Sequence, residues 1–148
     1  MMQTFLPYAD FDKSAHVLDY RRLGKQRVET KQILNALSVY NAKGWRNHPA
    51  TKMWQGHETL LAYYGAAMCR EWIRRGYKDT LTPFFRDIIE NEHEVIGQPW
   101  FIGNAEFHLS HQSNLLRKDF NYYSSKFPNV PDNLPYIWTA EQTQGVYA

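Results

Sequence analysis

Apolar residues recur at three- and four-residue spacing through most of the chain, and no pair of segments alternates in the manner of facing strands. From about 15 to 41, Leu18, Ile33, Leu37 and Tyr40 fall close to one angular stripe and predict a helix, weakened locally at Gly24. From 51 to 75, Met53, Trp54, His57, Leu60, Leu61, Tyr64, Met68, Trp72 and Ile73 mark the buried face of a second. Its basic end, REWIRRGY, suits the negative pole of the helix dipole, and Gly76 stops it. After TLTP (80–83) the pattern predicts a third helix over about 83–94. A fourth follows over roughly 105–124, with GQPWFIGN (97–104) as a loop between them.

Proline and glycine mark the ends of these segments. MMQTFLPYADFDKSA (1–15) is an extended arm leading to the first helix, with Asp12 or Ser14 as its cap. NAKGWRNHP (41–49) ends that helix at Gly44 and starts the next with Pro49 near its first turn. The closing KFPNVPDNLPYIWTAEQTQGVYA carries three prolines and predicts an irregular tail wrapped on the surface. The expected fold is all-α: a compact single domain over 1–148, with three to four main helices, an irregular N-terminal arm and a C-terminal tail.

Composition changes this picture in only a few places. With 148 residues, 43% hydrophobic and 22% charged, the chain can bury a core without staples. A single cysteine, Cys69, and the lack of an export signal predict a reducing, cytoplasmic setting. No apolar run approaches the roughly 20 residues a membrane span needs. The formal charge is only +2, but residues 19–31, DYRRLGKQRVETK, hold Arg21, Arg22, Lys25, Arg27 and Lys31 against Asp19 and Glu29. Such a patch is either a solvated helix face or the footprint of a polyanion. Aromatic residues make up 16% of the chain and many adjoin charge, so some could stack on unpaired bases while most pack the core.

Within the first helix, Arg22, Lys25 and Glu29 follow the spacing that puts groups on one face, in line with Leu18, Ile33 and Leu37. Glu29 is then either a structural partner of the two cations or an acid/base held in a cleft, with burial raising its pKa and the cations lowering it. GWRNHP (44–49) also has two readings. In one, Asn47 caps the following helix, Trp45 plugs the core and Arg46 is solvated. In the other, Arg46 grips a phosphate while Asn47 or His48 bonds to a base or sugar near the helix start. His108 and His111 are three apart and could ligate a metal, but no matching carboxylate or thiolate set accompanies them, so a packed pair is expected. His57 is expected to pack.

LDYRRLGKQRVE (18–29), GWRNHP (44–49) and MWQGHETLLAYYGAAMCREWIRRGY (53–77) together resemble the pyrimidine-dimer DNA glycosylase family, typified by phage endonuclease V. The resemblance covers about 15–125, with RNHP its most specific element. It implies an all-α, metal-independent and cofactor-free monomer that flips a nucleotide out of double-stranded DNA carrying a damaged base and cuts its glycosidic bond. The amino terminus, here Met1 or Met2, would attack the sugar C1′ to form an imine, and Glu29 corresponds to the assisting glutamate. β-Elimination would then cleave the strand. Arg21, Arg22, Lys25, Arg27 and Arg46 would hold phosphates, and Trp45, Trp54 or a tail tyrosine would fill the vacated stack. Asn47, His48 and His16 complete the expected DNA-binding set. Two other functions fit the same residues: a non-catalytic module gripping nucleic-acid backbone, or a hydrolase of a modified nucleotide in the same cleft.

Overall fold

The computed structural model describes residues 3–38, 48–91 and 97–143, and in these the chain is helical with no strand. In chain order the helices are α1 (Phe11–Val17), α2 (Tyr20–Ser38), α3 (Pro49–Trp54), α4 (Glu58–Arg74), α5 (Thr82–Asn91), α6 (Ala105–Lys118) and α7 (Phe120–Tyr123). A 3₁₀ turn, Ala140–Thr143, closes the described tail. One hydrophobic core runs through all of them, from Phe5 and Leu6 to Phe127 and Ile137.

The all-α reading holds, but three of the expected helices are each broken in two. The 15–41 segment divides at Leu18, whose φ of −70° and ψ of 141° are extended. Arg75, from just beyond α4, donates to the carbonyls of Ala15, His16 and Leu18 at 3.3, 3.0 and 2.7 Å and so satisfies the end of α1. Asp19 then starts α2: its carbonyl accepts from Leu23 N–H at 2.9 Å, and its own N–H donates to the Tyr123 hydroxyl at 2.9 Å. The 51–75 segment divides at Gln55–His57, where Gly56 takes a φ of +85° that a side chain would disfavour. The 105–124 segment divides at Asp119, which leaves α6 at φ −154° and caps α7 by accepting from Tyr122 N–H.

The caps also differ from expectation. Asp10, not Asp12 or Ser14, caps α1 by accepting from Lys13 N–H at 2.8 Å. Ser14 instead exchanges hydrogen bonds with both backbone groups of Tyr8. His48, not Asn47, caps α3 through Nδ1, which accepts from Ala50 N–H at 3.1 Å, with Pro49 in the first turn as expected.

The N-terminal arm is irregular as expected, and residues 3–7 are buried. A buried non-helical segment needs partners for its peptide groups, and this one has no strand beside it. Helix side chains take that role. Gln26 of α2 accepts from Phe5 N–H at 2.8 Å and donates to Gln3 C=O at 2.8 Å. Tyr64 of α4 donates to Phe5 C=O at 2.7 Å. His111 Nδ1 accepts from Leu6 N–H at 3.0 Å, His108 Nδ1–H donates to Leu6 C=O at 2.8 Å, and Gln112 donates to Pro7 C=O at 2.8 Å, all from α6. The two histidines are thus a packed pair, as expected, and burial holds both below the ordinary imidazole pKa. His57 is half-buried at the start of α4.

Helices α4 and α5 meet at Gly65, where an added Cβ would stand 2.4 Å from the ring of the fully buried Phe85. Replacing glycine by alanine inside a helix gains about 1 kcal/mol of propensity, whereas overpacking a core costs about 1–3 kcal/mol. Gly65→Ala is therefore expected to lower the melting temperature, and Gly65→Val to lower it further. A thermal melt in which Gly65→Ala equals or exceeds the wild type would show that the α4–α5 contact is looser than these distances require.

Candidate active site

One face of helix α2 carries Arg22, Lys25 and Glu29 at helical spacing, and it meets the arm at Gln3 and Phe5 and the end of α6 at Lys118. Between them lies a cleft of about 280 Å³, lined by these residues with Arg21 and Gln26. That is close to the lower end of small-molecule sites, which run from about 300 to 1,000 Å³. Four cations and a single carboxylate face the same space.

Glu29 owes its position to the arm. Gln3 N–H donates to its Oε2 at 3.1 Å, and the Gln26 carboxamide, already bonded to Gln3 and Phe5, donates to the same oxygen at 3.3 Å. Burial, the largest influence, raises the Glu29 pKa above the ordinary carboxylate value, and the Gln3 N–H and the charges of Lys25 and Lys118 offset only part of it. Lys118 responds in the opposite sense. Burial and then the nearby charges of Arg22, Lys25 and Arg117 lower its pKa, against the pull of Glu29.

The sequence-predicted residues separate into groups. Arg21, Arg22, Lys25 and Glu29 come together in the cleft. Arg22 is partly engaged, 3.2 Å from Asp19. Arg27 is not available to a phosphate: it is 8% exposed, its Nε donates to Asp79 at 2.9 Å and its Nη2 to the same oxygen, and its guanidinium covers the Trp72 ring. Releasing it would leave the carboxylate of Asp79 buried without its cation. Trp54 is not available to a base stack either, being fully buried, with Nε1–H donated to Thr4 Oγ1 at 2.9 Å and its ring edge-on to Phe101. His16 lies outside the cleft lining, exposed, with Nδ1 3.5 Å from the Glu71 carboxylate that Arg74 and Arg75 also hold. His48 serves α3 and meets Trp138 edge-on, and burial lowers its pKa. Met1, Met2, Trp45, Arg46 and Asn47 lie outside the described residues.

Gln26 and Lys118 also line the cleft, with Tyr64 bonded to Gln26 behind it, and none of the three was predicted at the site from the sequence. Gln26 is one turn from Glu29, so the spacing contained a signal, but a glutamine in a charged run reads as solvated. A larger cavity of about 870 Å³ lies elsewhere, among Asp10, Asp12, Glu58 and Arg70. Its acidic character is the wrong sign for a polyanion, and Asp12 already takes Arg70 at 2.8 Å.

A family model described as pyrimidine dimer DNA glycosylase matches residues 2–83, more than half of the chain. The chain belongs to that family. For this DNA glycosylase family member, the matched span holds the arm from Met2, helices α1 to α4 and the first residues of α5. It includes Gln3, Arg21, Arg22, Lys25, Gln26 and Glu29, whereas Lys118 lies beyond it. No curated protein and no solved structure matched the chain. Among the described residues no helix is long and apolar enough to cross a membrane.

The raised Glu29 pKa has a testable sign in stability. The folded protein binds that proton more tightly than the unfolded chain, whose glutamates titrate near 4.3. Stability from this group is therefore present at low pH and lost as pH rises from the unfolded value through the folded one. Glu29→Gln keeps an acceptor for Gln3 N–H and removes the loss. Its melting temperature, relative to wild type, should increase from pH 4 toward neutrality and then level off. A difference that stays flat or falls over this range would show that the carboxylate is not held at a cost.

Proposed function

We propose that this glycosylase uses its amino-terminal amine as nucleophile and Glu29 as its acid/base partner, followed by strand cleavage. The supporting observation is the 3.1 Å hydrogen bond from Gln3 N–H to Glu29. Adjacent backbone nitrogens are no more than about 4 Å apart, and two residues span at most about 7 Å. Covalent connectivity alone thus holds the amine of Met2 or of Met1 close to the Gln3 nitrogen, and so near the carboxyl. An α-amine has a pKa of about 7.7–8, so a useful fraction is neutral at pH 7, unlike a lysine at about 10.4.

The chemistry follows from that pairing. The amine nitrogen forms a bond to C1′ as the glycosidic bond breaks, and the base leaves with the bonding electrons and takes up a proton. Glu29, as a carboxylate, takes one proton from the attached amine and passes it to the sugar ring oxygen as the ring opens to the imine, and the amine's other proton balances the one taken up by the base. Abstraction of a C2′ proton then expels the 3′ phosphate by β-elimination. Arg21, Arg22, Lys25 and Lys118 supply the field that draws phosphates to the cleft. Extruding a nucleotide costs a few kcal/mol, and least at a damaged step.

Borohydride added during reaction with dimer-containing duplex should reduce the imine to a stable protein–DNA adduct, with the attachment mapped by mass spectrometry to the first residue of the mature chain. Glu29→Gln should still bind the duplex while base release falls about 100-fold or more. Base release with no trapped adduct would replace the amine by a water molecule acting with Glu29. An unimpaired Glu29→Gln enzyme would remove the carboxyl from the mechanism.

A further inference from the structure

Three aromatic rings at the start of α2 and the end of α4 have no role in the cleft chemistry. Tyr77 stacks on Trp72 with ring centroids 4.3 Å apart and 28° between planes. Tyr20 lies over Tyr77 at 6.3 Å and 27°. Core packing accounts for the innermost ring, because Trp72 lies against Gly24 and its Nε1–H donates to Lys78 C=O at 3.0 Å. It does not account for the outer two. Tyr20 is 50% exposed and Tyr77 41%.

A cation stands beside the outermost ring and another beside the innermost. Arg27 covers Trp72 but is committed to Asp79, and Asp19 is held by Arg22 and Tyr123, so neither acid offsets the charge at the ladder's edge. Arg21 belongs to both places: its guanidinium carbon is 5.7 Å from the Tyr20 ring centroid, and it also lines the Glu29 cleft. Tyr20 and Glu29 are nine positions apart on α2, which at about 100° per residue puts them on opposite sides of the helix and about 13 Å apart along its axis. Arg21 and Lys25, both exposed, occupy the arc between them.

We infer that Tyr20 and Tyr77, backed by Trp72, are a stacking platform for an unpaired nucleobase of a bound DNA strand, with Arg21 leading the backbone from the cleft to the rings. A nucleobase has the flat apolar face that open rings accept, and its phosphates match the cationic arc. A protein partner would match the rings but gain nothing from a charge path that begins in the catalytic cleft. The inference rests on the cleft being the DNA site, through Arg21.

Affinity for a single-stranded oligonucleotide and for a fully paired duplex, each over a salt series, tests it with the full chain. Stacking on aromatic side chains typically contributes about 5- to 100-fold in affinity per base. Tyr20→Ala with Tyr77→Ala should weaken single-strand binding by that factor with the salt slope unchanged, and should affect the paired duplex much less. Phe at both positions should restore binding. Arg21→Gln should instead reduce the salt slope by about one. Photo-crosslinking of a 5-iododeoxyuridine oligonucleotide should place the adduct on Tyr20 or Tyr77.

Melting curves of the Ala variant establish that it is folded. Unchanged single-strand affinity in a folded Ala variant, with crosslinks only elsewhere, overturns the platform even if the wild type releases bases. Loss of single-strand affinity in that variant sustains it even if the wild type releases none, in which case it is the catalytic reading that fails.

Discussion

The buried arm, residues 3–7, is the constraint around which the molecule is arranged. A non-helical segment inside a helical protein brings peptide groups into the core with no ladder to receive them, and each one left unbonded costs about 1–3 kcal/mol. Gln26, Tyr64, His108, His111 and Gln112 meet that demand from three helices. Their polar atoms would themselves be costly in the core without the arm. The two sets of groups therefore require each other, and together they fix how α2, α4 and α6 stand. The position of Glu29 is a by-product of the same network, because the carboxamide of Gln26 that ties down Gln3 and Phe5 also touches its carboxylate.

A second feature is the sorting of arginines. Arg27 and Arg75 are spent inside the fold, one on Asp79 and one on the carbonyls that end α1. Arg75 also holds Glu71, whose carboxyl is lowered to about 2, first by Arg74 and against the effect of burial. What remains toward solvent on α2 is Arg21 and Lys25, with Arg22 only partly committed. The net charge of the chain is small, yet its field is concentrated where acids have been withdrawn into other pairs.

The helices were legible because periodicity reports burial, and burial is what most of these positions experience. The breaks at Leu18, Gly56 and Asp119 were not, since each depends on a group distant in sequence or on a local torsion: Tyr123 and Arg75 at the first, a positive φ at the second. Glu29 could be read from its helical spacing after Arg22 and Lys25, which puts all three on one face. Arg27, on the same helix with the same chemistry, could not be told from them, because its partner Asp79 is 52 residues away. Trp54 shows the converse. Its stripe position predicted a buried ring, and the structure has it enclosed, with Thr4 on its Nε1–H and Phe101 edge-on to its ring. Gln26 was passed over because its importance lies in a segment that no periodicity connects to it.

The way the arm is seated also bears on how the molecule can be altered. Gln3 is anchored beside Glu29, at the wall of the cationic hollow. Any change that shifts the backbone at Gln3 therefore also shifts the wall of that hollow and a hydrogen bond to its carboxylate.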